Sequence, residues 1–384
     1  MIRKSQAPWT YRAGIAYDQT GQKDKAAVFY QKAASLYSGV EDKKMEARVL
    51  ASLAYLQIKS GRYQDALSSL ERECKLRESS DSSAELATCL NHLGFVYLQV
   101  GQKDKVLVTH EAAIEAAQRA RDKGQEALAL EYRGDFYVAA REPLKAMEEF
   151  RKEIPLRQAT NDKAGETAAY LGLASACEFF FYGPENDKYR SQRREYLSQA
   201  LEVARSGKLL HEQAHILRLI GTSYEVGWFT VTEAERKQLR EDRDVLRESR
   251  TLYHTNGTPA EEAQVSIDLA KIDGKLDEGQ EVISDLQKAR ALYHGAGDGD
   301  GEAEALDGIA KEYFHQKDLA NALAAYRQLE QVRTAQNKPK ETAFAIASQG
   351  KMQLATGNTP EAIRLFELVL ATYPEKGTDG GRAE

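Results

Sequence analysis

Proline is scarce in this sequence, with eight residues in 384. No run of β-branched residues alternates with period two either, so helix is the expected state throughout. Cysteine is scarcer. Cys74, Cys89 and Cys177 are odd in number and far apart in the chain. They are expected to form neither a disulfide framework nor a zinc ribbon, and they suit a reducing, cytoplasmic compartment. No stretch approaches the about 18 apolar residues that cross a bilayer. The N-terminal "MIRKSQAPWTYRAG" has basic residues with no apolar core behind them, so neither a signal peptide nor a membrane partner is expected. Positive charge is also short: 53 Lys and Arg against 59 Asp and Glu leave a net charge of −6. That balance argues against general nucleic-acid binding, which depends on a basic field. What remains is 42% hydrophobic and 29% charged, the composition of a folded soluble chain.

The chain repeats itself. "YRAGIAYDQTGQKDKAAVFYQKA" at 11–33 aligns with "NHLGFVYLQVGQKDKVLVTHEAA" at 91–113, and "SLAYLQIKSGRYQDALSSLERE" at 52–73 fits midway between them. One column holds only Gly or Ala: Gly14, Ala54, Gly94, Gly134, Ala174, Gly221, Ala270, Ala310 and Gly350. The steps are 40 residues except for 47 and 49 in the middle. Three residues beyond the small one stands Tyr17, Tyr97, Tyr137, Tyr224 or Tyr313, followed by a turn at Gly21, Gly61, Gly101 or Gly357. The next segment pairs a small residue with a bulky one four further on, as in Ala26 and Tyr30, Ala66 and Leu70, or Ala146 and Phe150. That spacing puts both on one helix face, where a neighbouring helix packs beside a large knob. Each period therefore reads as a helical hairpin. Pro184, Pro259 and Pro339 fall between helices and Pro360 in a first turn. Pro155 alone lies inside a second helix, where a kink or early stop is expected.

This order of small residue, Tyr, turn Gly, Ala and aromatic resembles the tetratricopeptide repeat, down to a closing Pro374. The forty-residue period is similar to arrays in animal spindle-orientation adaptors and in bacterial regulators, some of them fused to caspase-like CHAT protease domains. The chain departs from the pattern at Arg141, in a turn-Gly position, and at Arg193 and Asp242, in the Ala column. The resemblance implies an all-α, right-handed α-solenoid of about nine hairpins. A single array is expected over 7–375, with units starting near 7, 47, 87, 127, 167, 214, 263, 303 and 343, and a disordered tail at 376–384. Such arrays are protein-binding scaffolds or adaptors without enzymatic activity or cofactor.

Two stretches mimic chemistry. His211-Glu212-Gln213-Ala214-His215 matches the H-E-x-x-H zinc motif, which would make a hydrolase of His211, Glu212 and His215, with Glu233 or Glu235 as a third ligand. Yet acidic residues open the first helix of most units, so half of the motif is repeat pattern. Arg218 and Gly221 stand where an extended zinc motif needs Gly and His. "GAGDGDGEAEA" at 295–305 fits neither a phosphate loop nor a calcium loop and is expected to be an inter-repeat loop. His110 and Cys177 fall in packing columns and are expected in the core.

In the resembled arrays the first helices line a concave groove. The residue after the small one should face it: Ile15, Tyr55, Phe95, Asp135, Ser175, Thr222, Lys271, Lys311 and Lys351. Tyr55 and Phe95 offer aromatic surface, while Lys271, Lys311 and Lys351 suit a protein or peptide with an acidic segment. Arg218 lies on the same side. Ile15 and Tyr55 exclude the dicarboxylate clamp of chaperone-binding arrays. The long units insert Phe179, Phe180, Phe181 and Tyr182, then Trp228 and Phe229, beside Lys188, Arg190, Arg193 and Arg194. These form a docking patch if exposed and packed hairpins if not. After Pro374 only "EKGTDGGRAE" follows, so the last helix lacks a cap. Self-association or a missing C-terminal domain is expected there.

Overall fold

The computed structural model describes residues 2–79, 83–181, 185–223 and 231–372. Every regular element among them is helical. Contacts group the helices into two compact units, one ending at Gly207 and the other beginning at Lys208. The first contains α1 (Ile2–Gln19), α2 (Lys23–Ser38), α3 (Lys43–Lys59), α4 (Tyr63–Glu78) and α5 (Ser83–Gln99). It continues with α6 (Lys103–Ala120), α7 (Lys123–Ala139), α8 (Pro143–Ala159), α9 (Lys163–Cys177) and α10 (Asn186–Ser206). The second contains α11 (Leu210–Gly221), α12 (Glu233–Asn256), α13 (Pro259–Lys275), α14 (Gly279–Ala296), α15 (Gly299–His315), α16 (Leu319–Ala335), α17 (Pro339–Ala355) and α18 (Thr359–Thr372). Within each unit every helix packs on its sequence neighbours, the arrangement of stacked hairpins.

The small column explains the packing. A Cβ placed on Gly14 would lie 2.6 Å from the Tyr30 ring, and one on Gly134 would lie 2.5 Å from Phe150. The first helix therefore gives up a side chain so that the bulky residue of the second can reach its backbone. Tyr30, Leu70, Phe150, Leu197, Leu246, Leu286 and Tyr326 are all buried, as are the alanines four residues before the first three. Where Ala is replaced, the charge is buried too. Arg193 pairs with Glu178, and Asp242 accepts from Gln238.

The turns share one backbone solution. Gln22, Gln102 and Glu142 donate from the residue after the turn to the carbonyls of Tyr17, Tyr97 and Tyr137, five residues back, as in a Schellman cap. The residue between must be left-handed. Gly21, Gly61, Gly101 and Gly357 supply it at φ between 69° and 82°. Arg141, Asp277 and Lys317 adopt the same conformation at φ 59°, 62° and 62°, against the preference of a side chain with a Cβ. Replacing Arg141 by Gly should therefore stabilise the first unit by about 1 kcal/mol. An unchanged urea midpoint would show that this turn carries no such strain.

Between repeats, the last turn of a second helix reaches an acid in the first turn of the next helix. Gln118 binds Glu126 and Gln158 binds Glu166, both at 2.8 Å. His254 and His294 bind Glu262 and Glu302, both at 3.0 Å. Asp42, Asp122, Asp162, Asp298 and Asp318 cap the helices that follow them through their side chains.

Three expectations are corrected here. Cys74 and Cys89 are joined by a disulfide, with Cα atoms 5.7 Å apart and both residues buried. Fifteen residues separate them in sequence, but α4 and α5 pack side by side and bring them together. Helix α8 does not stop at Pro155 but runs to Ala159. Its last turn is held by Arg157, which binds Glu131, Glu153 and Asp162 around the gap in the helix ladder. The glycine-rich stretch at 295–305 is not a long loop. Only Gly297 and Asp298 separate the helices, and Asp298 caps α15 at Asp300 and Gly301.

Candidate functional site

The odd-numbered helices bury one face against their hairpin partners and present the opposite stripe outward. On α17 that stripe runs Lys340, Phe344, Ala347, Lys351 and Leu354, at intervals of three and four residues. On α15 it runs Asp300, Glu304, Asp307, Lys311 and Phe314. Lys271, Lys311 and Lys351 hold equivalent places in the second unit, and all three are exposed. Their partners differ. Lys311 meets Asp307 on its own helix at 2.6 Å, and Lys271 lies 3.5 Å from Asp268. Lys351 makes no ion pair among the described residues, because Ala347 stands where α15 has Asp307. Arg218 is drawn off the stripe to Asp268 of α13 at 2.6 Å, so it acts as a strut between α11 and α13.

In the first unit Tyr55 is open, 53% exposed, with the Lys59 ammonium 5.5 Å from its ring. Phe95 is half-buried between Tyr63 and Tyr132, at ring distances of 6.1 and 5.8 Å. Asp135 is exposed, yet the surrounding protein withdraws its carboxyl from water and raises its pKa. Glu131, one turn before it, is raised for the same reason, against the pull of Arg157.

The zinc-like residues are engaged elsewhere than at a shared metal site. His211 Nε2 lies 2.7 Å from Glu261 Oε1 of α13. His215 is half-buried and its pKa is lowered, by burial first and by Arg218 second. Glu235, in place of ligating, closes a capping box with Thr232. Among the described residues no three His, Cys, Asp or Glu side chains converge as metal ligands.

In the aromatic insertion Phe180 stacks on Tyr189 at 3.8 Å, and Phe181 lies under Arg190 at 4.9 Å. Phe179 remains 42% exposed. Tyr182, Trp228 and Phe229 lie outside the described residues.

His110 and Cys177 are core residues, at 1% and 0% exposure. Burial pushes the Cys177 thiol up to about 11 and the His110 imidazole down to about 4. His110 Nδ1 has no hydrogen-bond partner among the described residues, and the ring packs 5.4 Å from Tyr132. A histidine kept neutral when folded but protonated when unfolded removes stability as pH falls from about 6.5 toward 4. His110→Phe, matching Phe150 in the next repeat, should flatten that slope and raise stability at pH 5. Parallel pH profiles of wild type and variant in urea unfolding would refute it.

Sequence reasoning missed Phe314, Phe344 and Leu354, each at least 50% exposed. Phe314 and Leu354 lie three residues beyond Lys311 and Lys351, so following that column one step further would have found them. A cavity of about 430 Å³ opens beside Phe344 between α15 and α17, floored by Leu329 and Arg333 of α16.

Residues 11–39 match the model of the tetratricopeptide repeat family. No curated protein matches the chain. Among solved structures, the Signal Transduction ATPase with Numerous Domains protein with a tetratricopeptide repeat sensor, from Pyrococcus horikoshii, aligns over 95% of this chain. It does so with TM-score 0.58 and 14% identity, and the alignment covers 53% of that protein, so this chain spans about half its length. The apo form of RapI aligns over 80% of this chain and 99% of its own, with TM-score 0.51 and 14% identity. At these identities the likeness is one of fold.

Proposed function

We propose that this tetratricopeptide-repeat chain is a binding module without catalysis of its own, which captures a protein or peptide along the exposed stripes of its first helices. The observation that carries the reading is the exposed column Lys271, Lys311 and Lys351 in a chain of net charge −6. Lys351 has no carboxylate partner among the described residues, and the pairs of the exposed Lys271 with Asp268 and Lys311 with Asp307 are weak enough to exchange, which favours an acidic segment in the partner. In the first unit Tyr55, Phe95 and Asp135 are the corresponding contact candidates, and Arg218 supports the column from α11. Trp228 and Phe229 remain candidates on sequence alone.

The test takes peptide ligands selected on the full chain from a random display library. Binding should weaken with rising salt. The triple variant K271E/K311E/K351E should bind about tenfold to a hundredfold more weakly, the loss of three exposed ion pairs at about 0.5–1 kcal/mol each. Ligands that bind the triple variant as well as the wild type would sink this reading.

A second reading, the sensor or regulatory arm of a larger signalling protein, draws support from the Pyrococcus protein, in which repeats of this fold form a sensor. It uses the same surface and differs in what binding would be coupled to.

A further inference from the structure

The stripes of α15 and α17 face outward as parallel ladders, because alternate helices in stacked hairpins run the same way. Their rungs match in kind. At the level of Lys311 and Lys351 both sides are cationic. Three residues on, at Phe314 and Leu354, both are apolar and half or more exposed, at 50% and 53%. Toward the N-terminal ends Phe344, also 50% exposed, walls the 430 Å³ cavity whose floor is Leu329. That volume lies within the about 300–1,000 Å³ range of ligand pockets. The order along the cleft is therefore a pocket offering Phe344 and Leu329 as apolar surface, then a cationic rung, then an apolar rung.

We infer that the cleft between α15 and α17 receives an extended peptide segment carrying a bulky apolar residue, an acidic residue about three positions away, and a second apolar residue one or two positions beyond that. The spacing follows from the helix. Phe344 to Lys351 spans seven residues, about 10.5 Å at 1.5 Å each, and Lys351 to Leu354 about 4.5 Å. An extended strand advances about 3.3 Å per residue, so these rungs meet positions about three and one to two residues apart. The acid is specified by charge. Lys351 has no carboxylate partner among the described residues, and the intrahelical pair of Lys311 with Asp307 is exposed and therefore weak enough to exchange. The pocket lining itself is of mixed charge, with Glu304, Asp307 and Glu341 beside Arg333 and Lys340, so it sets no second charge preference next to the anchor. The chain's own last ten residues, "EKGTDGGRAE", contain no bulky apolar side chain and do not fit this pattern. The exposed cations Lys311 and Lys351 commit the occupant to a segment of another protein that brings the complementary carboxylate.

This inference rests on the binding reading above but makes its own claim about what is bound. A random ten-residue peptide library is displayed and selected in parallel on the full chain, on K311E/K351E and on F344S. The expected consensus on the wild type is apolar, two free positions, acidic, then apolar within two. On K311E/K351E the acidic position should become basic, which a misfolded variant could not produce. F344S should lower the affinity of the wild-type peptides about tenfold or more while leaving the acidic preference in place. A consensus without the acid, or one that persists unchanged on both variants, overturns this assignment and leaves the general binding reading standing. Failure of every library peptide to enrich on any variant overturns both. Self-association of the chain that blocks selection, seen as a dimer on size exclusion and relieved by F344S, also overturns it by making a second copy the occupant.

Discussion

Arg157→Ala destabilises the first unit by about 3–5 kcal/mol at pH 9, the cost of leaving a buried charge without its partner. At pH 6 the cost falls to about 1–3 kcal/mol, that of unsatisfied hydrogen-bonding groups. The reason lies in Glu153, which is 0% exposed and has one oxygen without any hydrogen-bond partner among the described residues. Arg157 holds its other oxygen at 2.8 Å and also binds Asp162 at 2.8 Å and Glu131 at 2.5 Å. Burial, and then the nearby Glu131, push the Glu153 carboxyl up to about 8 even with Arg157 present. A carboxyl raised in the folded state keeps a proton that the unfolded chain has lost, so its contribution to stability falls as pH rises from about 4.5 through about 8. At pH 6, below the folded value of about 8, Glu153 holds its proton and tolerates losing Arg157. At pH 9 Arg157 is what keeps Glu153 ionised, and without that cation the carboxyl must either take up a proton against the bulk pH or stay charged and unpaired. Glu153→Gln should remove the slope, since an amide cannot ionise. Urea unfolding at the two pH values decides the matter, and an equal cost for Arg157→Ala at both would refute the role given to Glu153. The same motif stands 80 residues earlier, where Arg77 binds Glu73 at 2.7 Å and burial pushes Glu73 up to about 7.

The second large effect is expected at Phe150. Its ring is 1% exposed and caught between two helices, since a Cβ at Gly134 or at Gly172 would come within 2.5 or 2.6 Å of it. Truncation to Ala opens a cavity that two backbones would have to collapse to fill, at about 3–5 kcal/mol. Gly134→Ala is the complementary insult, costing about 1–3 kcal/mol because the ring cannot retreat toward Gly172. Other repeats point to the remedy. Ala54 and Leu70 hold the equivalent places in one core cluster, so Gly134→Ala combined with Phe150→Leu should recover part of the loss. Additive costs in that double variant would mean the two residues do not share a packing site.

These effects sit on columns that could be read in the sequence, because packing selects residues by size and size survives as letters. The helical hairpins, the small column and the core places of His110 and Cys177 were legible for that reason. What depends on backbone conformation was half legible. Gly21 and Gly61 announce a left-handed residue, but Arg141, Asp277 and Lys317 adopt the same φ, compelled by the hydrogen bonds around them rather than by their own preference. What depends on distant partners was not legible. Arg193 and Asp242 looked like lapses in the Ala column, whereas Glu178 pairs with the first and Gln238 donates to one oxygen of the second. The Cys74–Cys89 bond likewise needs the register of α4 against α5, which no spacing rule supplies. At the candidate site the lysine column was read directly. The apolar rung beside it was missed because scattered exposed hydrophobics are ordinary, and only their match across two helices gives them meaning.

The joints between hairpins have a further consequence. Gln118 to Glu126 and Gln158 to Glu166 are the same bond made forty residues apart, and His254 to Glu262 repeats as His294 to Glu302. Excising residues 126–165 would bring Glu166 to the eighth place after Gln118 and restore the seam with the same two side-chain types. The seam bond is thus a standard coupling, so a change in the number of hairpins leaves it intact and asks only the core residues on either side to repack.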